Sequence, residues 1–302
     1  MLFRSVNDVK EDPMDFALWK TVKPGEPYWP SPWGNGRPGW HIECSAMVKR
    51  YLGDTIDIHC GGYDLIFPHH ENEMAQSEAA NGKQLARFWL HNGYITINNE
   101  KMSKSGVSFK IRDVAAKEGE KGYEIIRFFL ISSHYRSPVN FSEEILEQSR
   151  SALDRLYNCL ENLRFHLKEA GDAPESDDEK KLLEAIKSKR HDFELAMDDD
   201  LNTADAIAVL FDLARDINTA MTEKRSKSFI TVCMNEFTGL SGVLNLLTVE
   251  REELCDEITD LILQRQTARD NKDFKTADAI RDKLREMGIT LEDTPKGVKW
   301  KR

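Results

Sequence analysis

The sequence predicts an α/β region followed by an all-helical region. Residues 55–98 show strand-like, helix-like and again strand-like patterns, the order typical of part of a parallel sheet. From about residue 115 onward the apolar residues recur with the 3.6-residue period of helices. The length of 302 residues, 40% of them apolar, suits a chain of about two domains with ordinary cores.

The α/β region opens with a segment rich in proline and glycine, residues 23–40, which predicts an irregular loop. Helical spacing follows and stops at Gly53, and TIDIHCGG then predicts a short strand that ends in a glycine turn. A helix is expected next, with Pro68 at its first position and its end at Asn81–Gly82. FWLHNGYITINN predicts one further strand, and NNEKMSKSG a polar loop.

The helical region is expected to begin with residues 122–135 and a long helix that starts near Ser142. The acidic segment GDAPESDDEKK predicts a linker between helices. Further helical patterns cover residues 178–196, 202–223 and 226–246. From about residue 250 the sequence predicts two helices and a short end, GITLEDTPKGVKW.

Charge and cysteine content narrow the class of protein. The net charge of −10 argues against an indiscriminate polyanion binder, although residues 265–302 carry a local balance of +4, a weak sign of nucleic-acid contact. Five scattered cysteines argue against a disulfide framework and for a reducing cytosol. We expect no membrane span, because no apolar run approaches the roughly 18 residues required. The N-terminus lacks the pattern of a signal peptide.

Three side chains form a candidate metal site. His69 and Glu73 are four residues apart on a predicted helix and therefore share a face, and Cys44 lies on another predicted helix. A Cys, His and Glu set favours zinc over hard cations. The spacing alone leaves structural roles open, since exposed His–Glu pairs are common and a lone cysteine often packs as a small hydrophobe. Cys60, beside a Gly-Gly turn, is interpreted as a packing residue rather than a metal ligand.

The segment KMSKS is a second candidate site, made up of Lys101, Met102, Ser103, Lys104 and Ser105. A generic Lys-Ser loop is usually a solvated turn. Here the loop follows a predicted strand edge, where mobile ammonium groups can neutralise charge on a transferring phosphate.

Four motifs together closely resemble cysteinyl-tRNA synthetase, a family of class I aminoacyl-tRNA synthetases: GWHIECSAM, HCGGYDLIFPHHENEMAQSEA, KMSKS and ADAIRDKLREMGITLEDTPKGVKW. The resemblance covers essentially the whole chain. It implies the second half of a Rossmann-like catalytic domain over residues 1–115. It also implies a linking segment and helical bundle over 116–248, and a small anticodon-reading domain over 249–302.

The resemblance also implies ligands and residue roles. Zinc would bind the thiolate of substrate cysteine through Cys44, His69, Glu73 and one more cysteine. Trp40 would line the amino-acid pocket, with His59 and Asp64 close to the substrate. KMSKS would act on ATP, used with Mg²⁺, and tRNA-Cys would be the acceptor. A cytoplasmic monomer without membrane contact is expected.

The same resemblance matches three residues of the tail to anticodon reading, namely Arg269, Asp278 and Asp293. A guanidinium plane can stack on unpaired bases, and carboxylates can accept hydrogen bonds from base edges. The alternative is an ordinary ion pair between residues one helical turn apart.

The sequence also departs from the family pattern. The family's N-terminal part, with its HIGH-type ATP motif and a further zinc cysteine, is not matched, so the chain is expected to be a fragment that is inactive alone. GVSFKIRD follows KMSKS where the family usually has a Gly-Asn pair. Two alternatives stay open: a non-catalytic tRNA-binding fragment, and a related ligase that joins cysteine to an amino-sugar. That ligase would lack a tRNA-reading tail, so residues 250–302 argue against the second alternative.

Overall fold

A computed structural model describes residues 10–101, 110–249, 256–294 and 297–301. The chain divides into two compact units, residues 1–248 and 249–302. Within the described residues, no helix is both long enough and apolar enough to cross a membrane.

The proline- and glycine-rich opening is largely irregular but contains one small antiparallel sheet. Strand β1 (Trp19–Thr21) pairs with β2 (Gly36–Pro38). Gly39 follows β2 directly, and a Cβ there would lie 2.0 Å from the backbone oxygen of Ala17. Only glycine permits this close approach, which fixes the point where the next helix begins.

A parallel strand pair forms the centre of the α/β region. Helix α1 (Trp40–Tyr51) leads into β3 (Ile56–Gly62), and helix α2 (Glu71–Asn81) connects it to β4 (Ala86–Asn92). β3 and β4 are parallel, so the predicted strand–helix–strand unit is confirmed. Gly82 has a φ of +63° and caps α2, as the sequence predicts.

The start of α2 differs from the prediction. Pro68 is not its first residue, because residues 66–70 form a wider helical turn and the regular helix begins at Glu71. Phe67 is extended, with φ −135° and ψ 129°. A proline ring clashes with an α-helical conformation of the preceding residue, so Pro68 forces this break.

The expected single strand over residues 88–99 is two strands, β4 and β5 (Ile95–Ile97). The interruption lies at Gly93, whose N–H donates to the backbone oxygen of Tyr135 at 2.8 Å. A Cβ on Gly93 would lie 2.4 Å from the backbone oxygen of Ser137. The chain therefore leaves β4 here because a distant loop packs against its backbone.

Strand β5 is the middle strand of a separate three-stranded sheet. It pairs antiparallel with β6 (Glu100–Lys101) and parallel with β7 (Val139–Phe141). Helices α3 (Ile111–Lys117) and α4 (Gly122–Ile131) lie between β6 and β7 in the chain. α4 is strongly apolar, and Ile125, Ile126, Phe128 and Phe129 are buried.

Four long helices complete the first unit, as the 3.6-residue period predicts: α5 (Glu143–Glu169), α6 (Asp177–Asp198), α7 (Thr203–Ala220) and α8 (Lys227–Val243). At the N-terminus of each helix, the side chain of the N-cap residue accepts a hydrogen bond from a backbone N–H of the first turn. These N-cap residues are Ser142, Ser176, Asn202 and Ser226. Large apolar side chains fill the space between the helices. The fully buried ones include Leu153, Leu156, Leu163, Leu210, Leu213, Ile217, Phe229, Phe237 and Leu240.

The second unit contains the two predicted helices, α9 (Asp256–Asp270) and α10 (Phe274–Glu286). The predicted short end is an antiparallel hairpin of β8 (Thr290–Thr294) and β9 (Gly297–Lys301). A small core joins these elements through Ile258, Leu261, Leu284 and Ile289.

Candidate metal and amino-acid site

Cys44, His69 and Glu73 converge in the α/β region. Their donor atoms all lie within 4.8 Å of one another. Cys44 Sγ is 3.6 Å from His69 Nε2, and the same nitrogen is in close contact with Glu73 Oε1. α1 supplies the thiol, the helical turn before α2 supplies the imidazole, and α2 supplies the carboxylate. The structure thus brings together the three residues that the sequence analysis selected as a metal site.

Packing between α1 and α2 holds this convergence in place. Ser45, the neighbour of Cys44, is buried and donates its hydroxyl to the backbone oxygen of Glu73 at 3.2 Å. Glu73 itself is 0% exposed. His69 and Glu73 keep the i,i+4 relation across the helical turn, so the break at Pro68 leaves their shared face intact.

A shell of histidines surrounds the three donors. Glu73 Oε2 is 2.6 Å from His59 Nε2, and His41 Nδ1 is 2.7 Å from His69 Nδ1. His59, His70 and Glu73 form a second group of donors within the same 4.8 Å limit. One carboxylate therefore serves both groups, and its two oxygens point to different imidazoles.

Aromatic rings enclose this shell on two sides. The Trp40 ring stacks on His69 with centroids 4.5 Å apart, although Trp40 is itself 56% exposed. Trp89 stacks on His59 at 4.6 Å and lies next to His70. Flat rings on an imidazole restrict its rotation and therefore the direction of its nitrogen lone pairs.

His70 completes the arrangement at the end of β3. Its Nδ1 is 2.8 Å from His91 Nε2. A Cβ on Gly61 would lie 2.6 Å from the His70 ring, so the glycine turn of β3 provides room for this imidazole. Burial, followed by the neighbouring His59, lowers the pKa of His70 to about 4, so the ring is neutral at pH 7.

The carboxylate of this site disfavours ionisation of the neighbouring thiol. Burial, and then the charge of Glu73, raise the pKa of the Cys44 thiol to about 11. For Glu73 burial alone would raise the pKa, but the hydrogen bond with His59 and the charge of His69 lower it overall. A carboxylate and a thiol this close in a partly buried site repel each other as anions unless a cation lies between them.

The donor set fits zinc. Glu73 Oε1 is buried and has no hydrogen-bond partner among the described residues, even though His69 Nε2 is close to it. A buried carboxylate oxygen and an imidazole nitrogen that approach without hydrogen-bond geometry would both be satisfied by a metal ion bound between them. Sulfur, nitrogen and oxygen donors together are typical of zinc rather than of Mg²⁺ or Ca²⁺.

Asp64 lies elsewhere. It is exposed in the short helical segment Tyr63–Leu65, beside Gly62, and belongs to neither group of converging donors. Of the KMSKS segment, Lys101 ends β6, and Met102, Ser103, Lys104 and Ser105 lie outside the described residues.

The tail residues lie in the second unit. Arg269 is half-buried in the last turn of α9. Asp278 is exposed on α10 and pairs with Arg281 one turn away at 3.2 Å, the ordinary helix contact that the sequence analysis kept as an alternative. Asp293 is in β8, and its side chain lies outside the described residues.

Four members of the site were not predicted from the sequence: His41, His70, His91 and Trp89. Of the two adjacent histidines of the PHHENE segment, only His69 is a predicted ligand. For Trp89 and His91 the local sequence predicts only that they lie on the same face of a strand. Their place in the site follows from the parallel pairing of β3 with β4, which puts Trp89 opposite His59.

Family models match three parts of the chain. The model of the class I (C) tRNA synthetase catalytic domain matches residues 3–151, and the DALR domain model matches residues 192–248. The cysteinyl-tRNA ligase anticodon binding domain matches residues 251–300. Among solved structures, a LeuRS–tRNA–LeuAMS ternary complex of Agrobacterium radiobacter K84 agnB2 is similar in fold. Its TM-score is 0.56 at 14% identity, over 74% of this chain and 31% of that one.

The parallel α/β unit and these matches place the chain, by fold and family, among the class I aminoacyl-tRNA synthetases. Two curated relatives narrow the class. The cysteine–tRNA ligase of Clostridioides difficile is 54% identical over 301 residues, covering 98% of this chain and 64% of that protein. That of Lachnospira eligens is 51% identical over 297 residues, covering 98% and 62%. The chain belongs to the cysteinyl-tRNA synthetase family and spans about two thirds of the length of these relatives.

Proposed function

We propose that this chain carries the cysteine-selecting site of a cysteine–tRNA ligase. The reaction would join cysteine to ATP to give cysteinyl-adenylate and pyrophosphate, and then transfer cysteine from the adenylate to tRNA-Cys with release of AMP. The convergence of Cys44, His69 and Glu73 carries the proposal, because a zinc site on the floor of an amino-acid pocket matches the chemistry of a thiol substrate.

Cys44, His69 and Glu73 would hold the zinc ion. When bound, zinc supplies a soft Lewis acid that prefers the substrate thiolate over the hydroxyl of serine. Packing alone discriminates poorly between substrates that differ by one small group, since such a difference is worth only about 1–3 kcal/mol. A ligand set of this kind therefore provides the selectivity that pocket shape does not.

The surrounding residues would keep the three donors in position. His59 fixes one oxygen of Glu73 through its Nε2, which leaves the other oxygen directed at His69. His41 contacts the second ring nitrogen of His69 and so selects its tautomer. Trp40 stacks on His69 from the exposed side, where it can also line the pocket and limit water access.

ATP and tRNA would bind elsewhere on the chain. Lys101 and Lys104 would neutralise charge on the ATP phosphates, with Mg²⁺ as the accompanying ion. The second unit would read the anticodon through Arg269, Asp278 and Asp293. We further propose the division into residues 1–115, 116–248 and 249–302 and a monomeric cytoplasmic protein.

The two alternative functions would require different domains and sites. A ligase that joins cysteine to an amino-sugar has no need for an anticodon domain, and the match of residues 251–300 argues against it. A non-catalytic tRNA-binding fragment has no need for a half-buried thiol that converges with a buried imidazole and a buried carboxylate. The metal site therefore favours a chain that handles cysteine.

Metal analysis with matched cysteine variants tests the site. Purified protein should contain about one zinc per chain. Cys44→Ser should lose most of it, whereas Cys60→Ser should retain it, because Cys60 is exposed and belongs to neither donor group. Calorimetry on the zinc-loaded chain should then show binding of cysteine and no measurable binding of serine. Equal zinc content in the two variants would contradict the proposal.

Activity is tested separately from metal binding. We expect the 302 residues by themselves to catalyse little cysteine-dependent exchange of pyrophosphate. Adenylate formation needs phosphate-positioning groups from the whole catalytic domain, and the relatives extend well beyond the matched part. Robust exchange by the chain alone would contradict this expectation without affecting the zinc site.

A further inference from the structure

Three consecutive side chains, those of His134, Tyr135 and Arg136, converge on one carboxylate in the first unit. Tyr135 donates its hydroxyl to Asp200 Oδ1 at 2.8 Å. A terminal guanidinium nitrogen of Arg136 is 2.8 Å from Asp200 Oδ2, and His134 Nε2 is 3.9 Å from the same oxygen. The loop that follows α4 thus meets the turn between α6 and α7, which carries Asp200.

All three side chains present hydrogen-bond donors to this carboxylate. The backbone N–H of Arg136 donates to His134 Nδ1 at 3.3 Å, so the proton of a neutral His134 ring lies on Nε2, the nitrogen nearer Asp200. Arg136 Nε donates to the Tyr135 hydroxyl oxygen at 3.2 Å, which leaves the hydroxyl proton directed at Asp200. The His134 ring stacks on Tyr135 with centroids 4.8 Å apart. An imidazole, a phenol and a guanidinium in this arrangement form a preorganised site for an oxyanion.

A second contact joins the same two segments without Asp200. Thr203 Oγ1 donates to the backbone oxygen of Ile131 at 2.7 Å, and this hydrogen bond attaches the start of α7 to the end of α4. The pair of Asp200 with Arg136 is largely in solvent, since the Arg136 side chain is 57% exposed. Exposed ion pairs contribute little to stability. The convergence of three donors on Asp200 therefore indicates a role other than holding the fold together.

The backbone at Asp200 supports this interpretation. Asp200 and Leu201 have φ values of +56° and +58°, the left-handed conformation in which glycine usually ends a helix. The conformation is unfavourable for other residues, and such strain clusters at functional sites. A glycine at position 200 would close α6 with less strain but would remove the carboxylate.

The three donors lie at the carboxyl ends of the parallel strands. Gly93, directly after β4, donates its N–H to the backbone oxygen of Tyr135 at 2.8 Å. The hydrogen bond with Tyr135 chiefly raises the pKa of Arg136, and Tyr63, directly after β3, adds a smaller contribution. Open α/β sheets bind their ligands in the crevice at this end of the strands. His134, Tyr135 and Arg136 are therefore positioned to contact a ligand of the sheet.

We propose that His134, Tyr135 and Arg136 bind a phosphate group, and that the Asp200 carboxylate occupies this site when no phosphate is bound. Carboxylate and phosphate oxygens accept the same hydrogen bonds, and the planar fork of arginine fits both groups. The Asp200 side chain is 38% exposed, so it can turn into solvent when a phosphate enters. Two sources have this chemistry, ATP and the tRNA backbone, and this choice of probes rests on the proposed function.

Binding of labelled tRNA-Cys, measured by fluorescence anisotropy, and of ATP with Mg²⁺, measured by calorimetry, tests the site in the 302-residue chain. Asp200→Asn keeps the shape of the side chain but removes the charge that competes with phosphate. It should tighten the binding of one of the two probes by about fivefold or more. Asp199→Asn is the matched control, since Asp199 is exposed and its side chain has no ion pair or hydrogen bond among the described residues. This equal change of charge should alter either affinity by less than about twofold.

Two further variants remove donors rather than the competitor. Arg136→Ala should weaken binding of the same probe by about tenfold. For tRNA it should also lower the slope of log affinity against log salt by about one, because one phosphate contact is lost. Tyr135→Phe should weaken binding by about threefold, and it keeps the site testable if Asp200→Asn does not fold. Effects on tRNA alone identify a backbone phosphate, and effects on ATP alone identify a nucleotide phosphate.

Equal affinities of Asp200→Asn and Asp199→Asn for both probes would overturn the proposal. So would an affinity for both probes that Arg136→Ala leaves unchanged, or the absence of binding of either probe to the original chain. A lower melting temperature of Asp200→Asn without tighter binding would assign the contact a structural role. Zinc content should be the same in every variant, because these residues belong to neither group of metal donors, so this proposal and the metal-site proposal fail independently.

Discussion

We predict that replacing Glu179 lowers the free energy of unfolding of the helical bundle. Its carboxylate accepts the backbone N–H of Ser176 at 2.9 Å and that of Ser226 at 2.7 Å. These two serines are the N-caps of α6 and α8. Glu179 is buried, so one side chain ties together the starts of two helices inside the protein.

Replacing Glu179 by alanine leaves both N–H groups without this acceptor. A hydrogen bond to a charged group contributes about 1.5–3 kcal/mol. Water can replace the lost partner of Ser176, which is exposed, but not that of Ser226, which is buried. The expected loss in the free energy of unfolding is about 2–4 kcal/mol. For a unit of this size that corresponds to a decrease of about 5–12 °C in melting temperature.

The same contact predicts a dependence on pH. Burial alone would raise the pKa of Glu179, but the hydrogen bonds from Ser226 and Ser176 lower it overall below its usual 4.5. A lowered folded-state pKa stabilises the protein above the unfolded value, and this contribution is lost as the pH falls through the folded pKa. Glu179→Gln should therefore flatten the decrease of stability below pH 4.5.

Urea unfolding followed by circular dichroism, at pH 7 and at several values below 4.5, measures both effects. Asp177→Ala is the matched control from the same helical turn, since Asp177 is exposed and pairs with Lys180 only at the surface. It should change the free energy of unfolding by less than about 0.5 kcal/mol. The reasoning is refuted if Glu179→Ala destabilises no more than Asp177→Ala does.

Three further predictions concern the site, the sheet break and the tail. Glu73→Gln should weaken zinc binding at least about 100-fold in a chelator competition titration, because it removes the carboxylate that both donor groups share. An unchanged affinity would assign Glu73 a purely structural role. Gly93→Ala should lower the free energy of unfolding by about 1–3 kcal/mol in urea, because the added Cβ would clash with the backbone oxygen of Ser137. Gly171→Ala is the control, because a Cβ there would have open space around it. Asp278→Ala should narrow the affinity difference between tRNA-Cys and a tRNA with a substituted anticodon, and an equal loss for both would identify a structural residue.

Local signals in the sequence determined the helices and the three donors of the candidate metal site. Ser142, Ser176 and Gly82 mark helix ends through contacts within a few residues, so their effect can be predicted without a fold. His69 and Glu73 share one face because they are four residues apart, a relation that any helix would provide.

Tertiary structure decided the features that depend on distant parts of the chain. Gly93 divides a predicted strand because a loop 44 residues later packs on its backbone. His91 reaches His70 because β4 lies parallel to β3, and His41 reaches His69 only because α1 packs on α2. Local propensity does not indicate which distant segments of the chain pack against each other. The histidine shell consists of contacts between such segments. The donors could therefore be predicted from the sequence, while the network that orients them required the fold.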